Sequence, residues 1–215
     1  LIAELVAGEL ARVAGLLVPD IVLVDLDPEL ARTEPDPEIQ DLIRASDGLN
    51  LALDYLPGSV MFDPVAEHLD PELASMVVWF DAYVTNVDRT PRNANLLMWH
   101  RRLWLIDHGA ALYFHHNWTD YLERSRSAFS MIKDHVLLPT TSTDSLRAAD
   151  SKMKERIKPD VIAGIINLIP DAWLINSPFA TPAETRNAYI EYLLSRLRSS
   201  NVFLEETIRA RSLSI

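Results

Sequence analysis

Three oxygen-bearing side chains stand at an informative spacing. Asp88 and Asn93 close the stretch Asp88-Arg-Thr-Pro-Arg-Asn93, and Asp107 sits inside Ile106-Asp107-His108-Gly109. An acid, an amide five residues later, and a second acid beyond a short hairpin form a set suited to phosphoryl transfer from ATP. That reaction asks the protein for little covalent chemistry. It needs a carboxylate to orient and deprotonate the attacking hydroxyl, and hard oxygen ligands that hold magnesium on the phosphates. A tight hairpin starts and ends at one edge, so Asn93 before it and Asp107 after it are expected to converge.

The elements that must position these residues are legible from periodicity and punctuation. Leu1, Leu5, Val6, Leu10, Val13 and Leu17 recur at helical spacing, which predicts an amphipathic helix closed before Pro19. Ile21–Leu26 and Leu51–Leu56 read as short strands, the second ended by the turn signal Pro57-Gly58-Ser59. The acidic, proline-rich residues 33–41 between them are expected to be a surface loop. Residues 71–86 are strongly apolar and predict a buried helix capped by Asp70, with Pro71 at its first position. Leu96–Trp99 and Leu103–Ile106, split by His100-Arg101-Arg102, predict the hairpin. Beyond it the chain is expected to be helical, with candidates at 119–131, 144–157, 159–168, 182–199 and from 201 onward. Thr181-Pro182-Ala183-Glu184 supplies a strong helix start.

At this point the stretch from Asp88-Arg89 through Asn93 to Ile-Asp107-His-Gly, the last in the place of the common Asp-Phe-Gly, resembles the HipA-like kinases. The N-terminal ELVAGELARVAGLLVP and the C-terminal RNAYIEYLLSRL are also similar to that family, so the resemblance spans nearly the whole chain. It implies an α+β, protein-kinase-like fold. A truncated small N-lobe and hinge (1–58) would hold a helix and a few antiparallel strands, and a mostly helical C-lobe (59–215) would carry the catalytic loop and hairpin. It implies Asp88 as catalytic base, Asn93 and Asp107 as magnesium ligands, and the backbone around Tyr55 and Leu56 as the adenine contact. Glu4, with Glu9 as an alternative, matches the glutamate that pairs with a phosphate-binding lysine. The cofactors implied are ATP and Mg2+. The acceptor is a hydroxyl, of a protein serine or threonine if the family is followed, and an antitoxin-like or regulatory partner is a further expectation.

This chain departs from the family pattern in three respects. No glycine-rich phosphate loop occurs, no lysine precedes Lys133, and Asn86-Val87 stands where many kinases have His-Arg before the catalytic Asp. Because the chain opens at Leu1 within a helical pattern, an upstream segment is expected to supply the loop and lysine. Two other readings remain: a small-molecule phosphotransferase of the aminoglycoside-kinase type, and an inactive pseudokinase that binds a partner.

Bulk properties narrow the setting. A 215-residue chain that is 48% hydrophobic suffices for one sizeable core or two small lobes. A net charge of −11 argues against a general nucleic-acid surface, although Arg89, Arg92, Arg101 and Arg102 form a candidate local basic cluster. No apolar run reaches the roughly 20 residues of a membrane span, and no export signal is present, so a cytoplasmic location is expected. With no cysteine, disulfides and thiolate sites are excluded. His100, His108, His115 and His116 match no zinc-binding spacing, and the five tryptophans are expected to pack rather than stack on bases.

Overall fold

The computed structural model describes residues 1–213. It is an α+β fold, mostly helical, with two small antiparallel sheets. Helix α1 (Ile2–Val13) ends at Gly15, which takes φ +83°. The Gly15 N–H returns to Arg12 O and the Leu16 N–H to Ala11 O, both at 2.9 Å, which satisfies the last-turn carbonyls and reverses the chain. The helix lies tight against the first sheet, because a Cβ on Gly8 would come within 2.5 Å of Ile21 Cδ1. That sheet pairs β1 (Ile21–Leu26) with β2 (Gly48–Leu53), Ile21 opposite Leu53 and Leu26 opposite Gly48.

The segment joining those strands is not the expected loop. It holds a 3-10 turn (Pro28–Thr33) and helix α2 (Pro37–Ala45). The signal for α2 was present in the acidic stretch: Asp36 accepts the Glu38 N–H at 2.9 Å and Pro37 occupies the first helical position. Ile39, Leu42 and Ile43 recur along it at helical spacing, although no residue of α2 is buried.

Strand β3 (Val60–Met61) joins β4 (Leu96–Trp99) and β5 (Arg102–Leu105) in the second sheet. The β4–β5 connection is the expected hairpin, made with two residues, His100 and Arg101, at φ 49° and 61°. Positive φ at both central positions matches the turn to the twist of the strands, although Asn-Gly usually fills it. Trp99 and Trp104 close one side of the hairpin edge-to-face at 5.3 Å, and Trp99 Nε1 donates to Pro57 O at 2.8 Å.

Helix α3 (Pro71–Val84) is the centre of the core. Asp70 caps it through the Glu72 N–H at 2.9 Å, as the sequence indicates. Val77, Val78, Trp79, Phe80 and Tyr83 along it are all buried, in one apolar cluster that extends from Leu5 of α1 to Ala210 near the C-terminus. The helical remainder comprises α4 (Tyr121–Arg124), α5 (Thr143–Arg156), α6 (Pro159–Ile166), α7 (Pro182–Arg198) and α8 (Ser200–Leu213). Of the helix expected over 119–131 only the short α4 forms, followed by a 3-10 turn at Ser130–Asp134. No helix among the described residues is long and apolar enough to cross a membrane.

The C-terminal end of α3 is held by Arg196 from α7. This buried guanidinium donates to Ala82 O at 2.6 Å and Tyr83 O at 2.8 Å, two of the carbonyls a helix end leaves orphaned. It also reaches Ser125 O at 3.2 Å and Ser127 O at 3.1 Å, and its Cζ lies 4.8 Å from the centre of the Phe203 ring. Burial lowers its pKa, yet carbonyl dipoles alone receive its protons. Replacing Arg196 by Met leaves these acceptors without a donor in a dry interior. Urea unfolding of Arg196→Met should show a loss of about 3 kcal/mol or more.

Candidate active site

The exit from α3 leads directly into the loop carrying Asp88. Thr85 turns left-handed at φ 55°, and the Asn86 N–H folds back to Asp81 O at 2.9 Å. Asp81 is a fully buried carboxylate in an otherwise apolar helix face, and it holds the loop from beneath. Its Oδ2 accepts from Arg89 Nε at 2.6 Å and from His135 Nε2 at 2.9 Å, and its Oδ1 accepts from Asn86 Nδ2 at 3.1 Å. Burial on its own would raise the Asp81 pKa; the Arg89 charge and the His135 hydrogen bond outweigh it and bring the carboxyl down to about 2.

His135 is fixed in one tautomer. The Leu137 N–H donates to its Nδ1 at 3.0 Å, so the ring proton sits on Nε2 and points to Asp81. Burial lowers the His135 pKa against the pull of the carboxylate, which keeps the ring neutral. Arg89, part of the candidate basic cluster in the sequence, is 1% exposed and is held inside the frame through Nε and Nη1, while its Nη2 has no hydrogen-bond partner among the described residues. Its Nη1 donates to the carbonyls of Asn95 and Ala94.

On this frame the Asp88 side chain is half-buried and well supported. Asn93 Nδ2 donates to Asp88 Oδ2 at 2.6 Å, and Asn95 Nδ2 reaches the same oxygen at 3.4 Å. The five-residue step between Asp88 and Asn93 has a local cause. Thr90 and Asn93 exchange both backbone hydrogen bonds, at 3.0 and 3.1 Å, closing a tight turn over Pro91 and Arg92 that returns the amide to the acid. Among the described residues Asp88 Oδ1 and the Asn93 side-chain oxygen carry no hydrogen bond, so both remain available to a ligand.

Asp107 emerges one residue after Ile106, whose N–H donates to Asn95 O at 3.1 Å. The Asn95 carbonyl therefore receives both Arg89 and the strand leading to Asp107, and it joins the two halves of the site. Asp107 is exposed at φ 53°, a conformation Asp tolerates better than most residues, with its Oδ1 accepting from the Gly109 N–H at 3.3 Å. The turn is clamped by Glu4 of α1, whose Oε2 accepts the His108 N–H at 2.5 Å while Oε1 faces His108 Nδ1 at 3.1 Å. Burial would raise the Glu4 pKa, but the His108 contacts prevail and leave it lowered. Within the described residues the partner of Glu4 is thus His108, not a lysine.

Glu4, Tyr55, Leu56 and Asp107 all line one open cavity of about 590 Å³, a volume in the usual range for small-molecule sites. Leu51, Leu53, Leu97 and Ile106 give it an apolar wall. Tyr55 lies just past the end of β2, and its backbone N–H and C=O make no hydrogen bond among the described residues. Asp88 and Asn93 do not line this cavity; their connection to it runs through Asn95 and Ile106. Among the described residues no group of three or more His, Asp or Glu side chains converges as a metal site.

Sequence reasoning weighed Asn95 only as a competitor of Asn93 for the metal and did not assign Asp81 or His135 to the site. The usable signal was Asp81 itself, because a charge inside the run Met76-Val-Val-Trp-Phe-Asp81-Ala-Tyr-Val84 needs a buried partner. The neutral histidines make stability depend on pH. His115, half-buried beside Tyr189 with its Nδ1 3.0 Å from the phenol oxygen, is pushed down to about 4 by burial and by His116. The unfolded chain takes up these protons near pH 6.5 while the folded one does not, so stability is full above that pH and is lost as pH falls below it. Denaturant midpoints measured from pH 7.5 to 5 should fall, each such histidine adding up to about 1.4 kcal/mol per pH unit, and His115→Gln should flatten the slope.

Comparison with known proteins agrees with this architecture. The family model described as HipA-like kinase matches residues 1–206. Among solved structures, the crystal structure of a Helicobacter pylori proinflammatory kinase, CtkA, superposes with a TM-score of 0.50 over 99% of this chain and 81% of that one, at 15% identity. At that identity the likeness concerns the fold. No curated protein matches the chain. With the family model covering all but the last few residues, the chain belongs to the HipA-like kinases.

Proposed function

We propose that this protein is a phosphotransferase that moves the γ-phosphate of ATP to a hydroxyl, with Asp88 as the catalytic base. The observation that carries the reading is the state of the Asp88 carboxylate. One oxygen is fixed by Asn93 at 2.6 Å on a buried ionic frame, and the other is left free. A carboxylate held in this way accepts the hydroxyl proton without having to reorganise.

The residues present fit Mg2+ and a nucleotide. The Asp107 carboxylate and the free Asn93 oxygen are hard oxygen donors. The cavity offers an apolar wall for a purine and unbonded backbone groups at Tyr55 for its edge, with Leu56 beside it. Glu4, Asp54 and Asp107 line it and no Lys or Arg does, so a polyphosphate is accepted there only together with a cation. Bound magnesium and ATP supply the transferable group and neutralise its charge. Asp107 holds the metal end, Glu4 fixes the Asp107 turn through His108, and Asn93 couples the metal end to the base. Residues 1–58 then provide the adenine side of the cleft and 59–215 the catalytic side.

Transfer of labelled phosphate from ATP to a mixed-sequence protein acceptor, with and without Mg2+, tests the reading. Asp88→Ala should lower transfer by at least about a hundredfold. It should leave Mg2+-dependent thermal stabilisation by ATP in place, whereas Asp107→Ala should abolish that stabilisation as well. Equal transfer by wild type and Asp88→Ala would exclude Asp88 as the base.

A further inference from the structure

A second cavity, of about 770 Å³, opens on the other flank of the Asp88 loop. Val87, the residue before the base, forms part of its wall together with Tyr113, Phe114, Phe129, Met131 and Tyr192. The segment from Asp107 to Asn117 runs from one cavity to the other, since Asp107 and Gly109 line the first and Tyr113 and Phe114 the second. The position of this wall relative to the base is fixed twice. The 3-10 turn Ser130–Asp134, which carries Met131, is followed by His135 on Asp81, and the Val136 N–H donates to Arg89 O at 3.1 Å. The rim is equally braced: Arg124 Nη2 donates to Phe114 O at 3.1 Å and Asn117 O at 2.7 Å, while Phe114 stacks on Tyr192 at 3.5 Å.

The chemistry of this lining selects among acceptors. No Asp or Glu lines the cavity, although the chain as a whole carries a net charge of −11. A polycationic small molecule, such as an aminoglycoside, needs carboxylates around it and finds none here. The guanidinium that is present is engaged by carbonyls of the wall itself, so the cavity offers mainly aromatic and aliphatic surface. Tyr113 and Met131 are 60% and 47% exposed, leaving large apolar side chains in the same wall as Val87 with room for an occupant. Resting on the phosphotransferase reading above, we infer that this cavity is the acceptor subsite, and that it takes a polypeptide segment whose serine or threonine is flanked by a bulky apolar side chain.

Fluorescent peptides with a central serine, flanked by Phe, by Ala or by Lys at the neighbouring positions, test this by anisotropy on the protein. The Phe-flanked peptide should bind at least about ten-fold more tightly than either other, the effect of burying one large apolar side chain. Met131→Glu and Tyr113→Ala alter exposed residues and should keep the melting temperature and the ATP response. Each should reduce the Phe preference to under about threefold. Equal affinity for the three peptides, preference for the Lys-flanked one, or a preference unchanged in both variants overturns the inference. Phosphate transfer to the same peptides is measured separately. Transfer without Phe selectivity removes the subsite alone; Phe-selective binding without transfer keeps the docking cleft and removes the phosphotransferase reading.

Discussion

The buried carboxylate of Asp81 is the constraint on which the rest of the site depends. A lone charge in the interior would cost several kcal/mol, so it is tolerated only because Arg89, His135 and Asn86 surround it with donors. That requirement fixes geometry as well as energy. Arg89 is the residue after Asp88, so pairing Asp81 with Arg89 sets the position of Asp88 relative to α3. His135 brings in the segment that walls the second cavity. One ionic cluster therefore orients the Asp88 loop from below and the neighbouring surface from the side.

The two ends of the candidate site are joined through Asn95, by its backbone carbonyl and its side-chain amide. Asn95 receives Arg89 and the Ile106 N–H on its carbonyl and offers its amide to Asp88. Movement of the hairpin strand that ends at Asp107 would thus be felt at Asp88. On the opposite side, Glu4 grips the His108 N–H and imidazole, which makes the orientation of α1 part of the Asp107 turn. The first helix has a role in positioning the site although it lies more than a hundred residues away in sequence.

Placing polar anchors in the core has a consequence for stability. Asp81 and Arg196 are both buried charges attached to α3, one near its C-terminal third and one reaching in from α7. Each is stabilising only while its partners stay in register, because hydrogen bonds in a dry interior are costly to break. The helix end that launches the Asp88 loop is in this way tied to the C-terminal helices. The integrity of the site and the integrity of the core are the same physical matter here.

The sequence by itself determined the elements whose signals are local. Asp70-Pro71 and Thr181-Pro182 place helix starts, the apolar stretch 71–86 predicts the central helix, which ends at Val84, and the two short apolar runs around His100-Arg101-Arg102 predict the hairpin. The contact of Asp88 with Asn93 is also local, because the turn from Thr90 to Asn93 that makes it is written in consecutive residues. What it could not deliver were the contacts between residues distant in the chain. Glu4 on His108, His135 on Asp81 and Arg196 on the end of α3 span from about fifty to more than a hundred positions. Helix α2 escaped for another reason, since its short Ile39, Leu42, Ile43 stripe lies within an acidic, proline-rich stretch and buries nothing. Local capping and periodicity are fixed by neighbours along the chain, whereas the partner of a buried charge is fixed by whichever element packing brings beside it, and only the tertiary structure decides that.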